Sequence, residues 1–408
     1  MSDPSRSRRD FLKTAALTGA GLSLAGAAKS AADPDGGATS SETAPAAKVP
    51  RRELGRTGET IPILVIGGGQ TFDPRFDKIL HRAFRDGVDF LDTALRYSDG
   101  MSHRTIAPFV KQVGRENLFL LSKGHSDRAT AARFKRDLET CLEQLEVDSL
   151  DMYFMQAVDR PGYLEPEYIR MGEQLRKSGK IRFFGFSTCG GGMIECMRKA
   201  ARVGGIDAIM FRYSFARYGD LALNRAIDEC RKAGIGLIAM KSQNSVPEDQ
   251  QYVKRFRSEN FTLAQAKLKA VWADGRIDSI TSLMDNTTKL AENLAAAKAP
   301  VQLAMDEFQQ LQRIATDSAP RACQGCSQIC ETRYAGPVKV AKPLRYLMYC
   351  ECYGETERAR ELYGRLGPEE RAFDGVDFSA ASTACPQGID IAARLRVARR
   401  KLDGGARA

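Results

Sequence analysis

Long apolar runs are missing from this chain. The longest, residues 15–28, is diluted with Gly, Ser and Thr and falls short of the roughly 18 to 20 uncharged residues a membrane-spanning helix needs, so no stable membrane insertion is expected. Histidine is scarce, at three in 408 residues. His81 falls on an expected helix, and His103 and His125 follow expected strands, so all three are read as surface residues. Acidic charge is short relative to basic charge, leaving a formal net charge of +10. That excess lies at the ends, with +3 in residues 1–30 and +5 in residues 391–408, which leaves only +2 for the body. A basic footprint confined to two chain ends, without interleaved aromatics, is not the stripe a nucleic-acid groove presents, and no nucleic-acid partner is expected. What is present, 43% hydrophobic and 27% charged residues, excludes disorder, collagen and a disulfide miniprotein and supplies one large core or two ordinary ones.

The first thirty residues look like an address. Ser7-Arg8-Arg9-Asp10-Phe11-Leu12-Lys13 precedes the weakly apolar run and the small residues Ala25-Gly26-Ala27 and Ser30-Ala31-Ala32. This is similar to a twin-arginine export signal at 1–32, with a Gly/Ser/Pro/Ala-rich linker at 33–50. It implies the twin-arginine export machinery as a partner and a periplasmic destination. That route carries proteins already folded and loaded, so a metal cluster is compatible with it.

From residue 61, apolar runs rich in β-branched and aromatic residues alternate with helical patterns. The runs are 62–66, 88–93, 118–122, 150–156, 181–187, 207–212, 236–240 and 279–283, with helical segments at 76–85, 129–145, 166–177 and 221–233. Gly87, Gly179 and Gly234 stand where helices must stop. Eight β/α repeats point to an α/β fold, a (β/α)8 TIM barrel. An open doubly wound sheet would carry G-x-G-x-x-G after its first strand, but Gly67-Gly68-Gly69 continues Gln70-Thr71-Phe72 and lacks the third glycine. A barrel's active site stands at the carboxyl ends of its strands.

At those ends the second run closes on Phe90-Leu91-Asp92-Thr93-Ala94 with Tyr97 beyond, and the third on Leu121-Ser122-Lys123. An acid, a phenol and an amine thus share one rim. A phenol with an ordinary pKa near 10 donates a proton readily if a nearby cation lowers that value, and Lys123, paired with Asp92, is expected to do so.

Here the sequence resembles the aldo-keto reductase family. The matching stretches are Arg51-Arg52-Glu53-Leu54-Gly55-Arg56-Thr57-Gly58, Gly87 through Ala94 with Tyr97, Leu121-Ser122-Lys123, Leu150-Asp151-Met152-Tyr153, Gly179-Lys180-Ile181-Arg182 with Gly185-Phe186-Ser187, and Glu292-Asn293-Leu294. They run through residues 51–300. The resemblance implies Tyr97 as general acid/base, Asp92 and Lys123 as its tuners, and hydride transfer between nicotinamide (NADP or NAD) and a small carbonyl or alcohol. It places Gly68, Ser187, Thr188, Lys289 and Asn293 against the cofactor.

The departures are specific. Gln156 replaces the family's substrate-orienting His and can donate a hydrogen bond without acting as an acid. Ser187-Thr188 stands for the amide-holding Ser-Asn, Met210 for a sixth-strand Gln, and Met240 for a ring-stacking aromatic. Leu283 and Met284 replace a Lys-Ser pair for the 2′-phosphate, and Lys289 an Arg, which weakens a bidentate clamp.

Beyond the barrel, Cys323, Cys326 and Cys330 form C-x-x-C-x-x-x-C, and Cys385 precedes Pro386. Four thiolates suit a [4Fe-4S] cluster, and the tail resembles the iron–sulfur extension of some bacterial aldo-keto reductases, there with a closer fourth cysteine. Zinc and disulfides are the alternatives, as is Cys350 or Cys352 as fourth ligand. Cys141, Cys196 and Cys230 fall on helices as core packing, while Cys189 follows the fifth strand near the rim. Residues 301–408 are thus expected to form a small, mostly helical iron–sulfur domain, with an electron-transfer partner a further expectation. A non-enzymatic barrel scaffold stapled by a metal cluster is the rival function.

Overall fold

The computed structural model describes residues 47–125, 130–243 and 250–403. The expected export signal and most of the linker lie outside the described residues. The described residues form one compact unit.

A short antiparallel hairpin, β1 (Arg51–Glu53) and β2 (Thr60–Pro62), precedes eight parallel strands. These are β3 (Leu64–Gly67), β4 (Phe90–Asp92), β5 (Phe119–Gly124), β6 (Leu150–Met155), β7 (Ile181–Thr188), β8 (Ala208–Arg212), β9 (Gly236–Met240) and β10 (Ser279–Ser282). Each pairs with its successor and β10 closes on β3, a complete barrel. The continuous apolar runs follow from burial on both faces. Met152 and Phe154 of β6 point into the barrel with Val65, Phe90 and Leu121, while Tyr153 and Met155 pack outward against the helical layer. The first expected run, 62–66, straddles two elements, because Pro62 ends the hairpin and the barrel strand starts at Leu64. Leu54 and Ile61 of that hairpin are fully buried in the inner core and plug its amino end. Gly185 has to be glycine, since a Cβ there would lie 2.0 Å from the Ala208 carbonyl oxygen across the β7–β8 ladder.

The helix Met305–Ser318 lays Leu311 and Ile314 on Phe215, Phe261 and Leu263 of the barrel's outer layer. After it the chain is helical, with the longer helices Ala341–Tyr353, Thr356–Gly364 and Ile391–Leu402. Two small cores hold this tail. One gathers Cys323, Cys330, Leu344, Phe373, Phe378 and Leu395, the other Leu347, Ala359, Tyr363 and Leu402.

Candidate active site

The ladder sets Asp92 opposite Gly67 on one side and Leu121 on the other, two residues before Lys123. That register brings the acid and the amine together at the carboxyl end of the barrel. Lys123 is 1% exposed and forms an ion pair with the equally buried Asp92. Its Nζ also donates to the Thr93 carbonyl at 2.9 Å and lies 3.2 Å from Tyr97 Oη. Thr281 Oγ1 of β10 donates to the second Asp92 oxygen at 3.0 Å, which fixes the carboxylate. Tyr97 stands on a tight loop whose next two residues, Ser98 and Asp99, hold φ of +51° and +53°. Non-glycine residues in that region are strained, and such strain gathers at functional sites.

The electrostatics correct one expectation. Burial pushes the Tyr97 phenol up, and although Lys123 pulls it down, the net position is above the ordinary tyrosine value. Burial alone would lower Lys123, but Asp92 and then Tyr97 hold it raised, so the ammonium stays charged. In this site Lys123 therefore keeps a hydrogen bond aimed at a neutral phenol.

The other expected residues divide. Gln156 follows β6, and its Oε1 is buried with no hydrogen-bond partner among the described residues. The same holds for Thr188 Oγ1 at the end of β7. Ser187 Oγ instead accepts from the Ala157 backbone N–H at 3.0 Å. Gly68 uses both backbone groups internally, donating to the Asp92 carbonyl and accepting from Ser102 Oγ, each at 2.6 Å. A Cβ on it would lie 2.9 Å from that carbonyl, so its small size serves packing between β3 and β4. Lys289 is ion-paired with Asp285 at 3.0 Å. Asn293 is 2% exposed and bonded to Gln243 and Ser282. Ser282 ends β10, next to Thr281, which bonds Asp92.

His103 corrects the surface reading. It is fully buried between Gln144 Oε1 at 3.0 Å and Ser122 Oγ at 2.8 Å, and burial lowers its pKa to about 4. The spacing of His103, Ile106, Ala107 and Val110 along the helix Met101–Val113 marks its buried face, a signal that could have found it. His125 is half-buried against Asp137 at 3.0 Å, and His81 stacks on Phe76. Cys141, Cys196 and Cys230 are core residues, as expected.

In the tail, Cys323, Cys326, Cys330 and Cys385 line one cavity with Pro386 and Ile389, and neither Cys350 nor Cys352 lines it. The Gly325 N–H donates to Cys323 Sγ at 3.4 Å. No cysteine is disulfide-bonded, and among the described residues no three His, Cys, Asp or Glu side chains are set to hold a single metal ion. No helix among the described residues is long and apolar enough to cross a membrane.

A model of the aldo/keto reductase family matches residues 64–305. An aldo-keto reductase from Gibberella moniliformis is 31% identical over 146 residues, 34% of this chain and 43% of that one. The chain spans about half the length of the curated relatives it matches. Among solved structures, a thermostable aldo-keto reductase in complex with the inhibitor epalrestat shares 25% identity at a TM-score of 0.53, covering 65% of this chain and 99% of that one. An aldo-keto reductase from Klebsiella pneumoniae, solved with NADPH, superposes at a TM-score of 0.51 with 20% identity, over 66% and 95% of the two chains, a likeness of fold.

Proposed function

The chain belongs to the aldo/keto reductase family, and from that premise we propose that it is an oxidoreductase moving a hydride between a nicotinamide cofactor and the carbon of a small carbonyl or alcohol. The observation that carries this reading is the buried Asp92–Lys123 pair held against the Tyr97 hydroxyl. The cofactor, when bound, supplies or accepts the hydride. Tyr97 gives its proton to the carbonyl oxygen in reduction, while Lys123 holds the phenol in place and balances the charge left on it. Gln156 can orient that oxygen through its amide N–H but has no proton to give up. The unsatisfied Gln156 Oε1 and Thr188 Oγ1, at the ends of adjacent strands, suit the NH2 of a nicotinamide carboxamide, since buried polar atoms require partners. The choice between NADP and NAD belongs to the adenosine end, where Lys289 and Asn293 are paired within the protein.

We further propose that Cys323, Cys326, Cys330 and Cys385 hold a [4Fe-4S] cluster. A four-iron cube is larger than one ion, so thiolates ranged round a cavity suit it better than they suit zinc, and a backbone N–H bonded to a cysteine sulfur is a common tuning contact. Such a cluster carries single electrons or staples its loop, and an external electron-transfer partner belongs to the same proposal. Twin-arginine export to the periplasm completes it, resting on Arg8 and Arg9. A non-enzymatic barrel with a structural cluster is the rival the assay sets against this reading. The test is nicotinamide consumption by the anaerobically purified full chain across a panel of aldehydes, with NADPH and NADH in parallel. Aldehyde-dependent oxidation of either cofactor is expected, and none with any aldehyde would leave the scaffold reading.

A further inference from the structure

Three neighbouring strands deliver polar residues to one sector of the rim. Thr188 pairs with Phe211 and Arg212 with Met240, so Cys189 stands level with Arg212, and Lys241 one residue beyond, at the ends of β7, β8 and β9. Lys241 is held at φ +60°, a strained setting for a residue with a Cβ. The tail lies over this sector. Arg212, 7% exposed, donates from Nη2 to the Gln324 carbonyl at 2.7 Å. Lys241 Nζ lies 5.7 Å from the centre of the Tyr349 ring, and Arg345 Nη2 bonds Tyr349 Oη at 3.2 Å. Between rim and tail runs a small cleft lined by Arg212, Ser214, Arg217, Lys241, Gln324 and Met348. Three of these residues are cations, Arg217 being paired with Asp220 at 2.5 Å, and no carboxylate among the described residues lines it.

The same cations act on two acids nearby. Burial pushes the Cys189 thiol and the Tyr349 phenol up, yet Lys241 and Arg345, joined at Cys189 by Arg212, bring both below their ordinary values, opposed by Asp159 at Cys189 and by Cys189 at Tyr349. Cations gathered in a half-enclosed site stabilise an anion more than they would in water. The cleft opens at the carboxyl end of the barrel, the end at which Asp92, Lys123 and Tyr97 meet.

We propose that this cleft holds an oxyanion of the substrate, a carboxylate or a phosphate ester on the same molecule whose carbonyl meets Tyr97. The proposal rests on the carbonyl chemistry above and narrows its substrate class to anionic carbonyl compounds and alcohols. Calorimetric titration of the full chain with 4-carboxybenzaldehyde, 4-formylphenyl phosphate and benzaldehyde tests it, in wild type, Arg212→Gln and Lys241→Gln, alongside the turnover assay. At least one anionic aldehyde is expected to bind roughly tenfold or more tighter than benzaldehyde, the scale of a charge-assisted contact, and the advantage should vanish in both variants. Whether carboxylate or phosphate gains more identifies the oxyanion. Arg212 also anchors the tail, so loss of the preference in Lys241→Gln alone is sufficient support. Equal binding of all three aldehydes by wild type would overturn the proposal. So would variants that lose NADPH and keep the anionic aldehyde, because the cleft would then belong to the dinucleotide phosphates. Charge-dependent binding without turnover would uphold the anion site and reject the carbonyl chemistry.

Discussion

Tyr97 titrates above the ordinary tyrosine range because burial outweighs the pull of Lys123. Its phenol stays protonated through neutral pH, so carbonyl reduction, which uses that proton, is expected to run level there and fall only above the ordinary tyrosine range. Alcohol oxidation, which needs the phenolate, should rise with pH. Measuring kcat/KM in both directions checks this, and a reduction limb that titrates near neutrality would assign proton donation elsewhere. His103 makes a separate prediction about stability. The unfolded chain takes up its proton near 6.5 and the folded protein only near 4, so stability is full above that window and falls as pH descends through it, by about 3 kcal/mol. Thermal transitions of wild type and His103→Gln between these limits should show the slope in the first and a flatter line in the second. At this scale Asp92, Tyr97 and Lys123 were legible because each ends or follows an apolar run. Arg212 ends one as well and was passed over, since a lone arginine at a strand end carries no sign that a tail 112 residues downstream returns to meet it.

The strands were legible as elements because a parallel barrel buries both faces of each one, which writes unbroken apolar runs into the sequence. Pro62 was absorbed into the first run because hairpin and barrel strand are apolar alike, with only Ile63 between them. The cysteine segment was legible by spacing, but its surroundings were not. Cys323 and Cys330 sit in an apolar core with Leu344, Phe373 and Phe378, while Cys352 is buried elsewhere in the tail and Cys350 lies 3.4 Å from Thr356 Oγ1. Cys385→Ser is therefore expected to lower iron content and open the tail to protease, because metal-bound segments gain order from their metal. Cys350→Ser and Cys352→Ser should retain iron. Iron analysis and limited proteolysis of the three variants check this, and full iron in Cys385→Ser with loss in Cys352→Ser would reassign the fourth ligand.

At the scale of the whole molecule, the fold encloses its chemistry by bringing the tail back over the carboxyl end of the barrel, where Gln324, Arg345, Met348 and Tyr349 meet Arg212 and Lys241. Nothing in the local pattern of residues 301–408 announces that docking, because contacts between distant segments leave no periodicity. Export belongs to this scale too. If Arg8 and Arg9 are the address, replacing both with lysine should leave the protein in the cytoplasm, and cell fractionation with blotting reads the outcome; a periplasmic double variant would point to another route. The most direct test of the proposed activity is Tyr97→Phe. Replacing Lys123 instead would strand a buried carboxylate at a cost of about 3–5 kcal/mol and confuse folding with catalysis, whereas phenylalanine removes one hydroxyl. With aldehyde and nicotinamide in excess, Tyr97→Phe is expected to keep its thermal transition and cofactor affinity while kcat falls by about a hundredfold to ten-thousandfold. A variant that turns over at the wild-type rate would contradict the assignment of Tyr97 as proton donor.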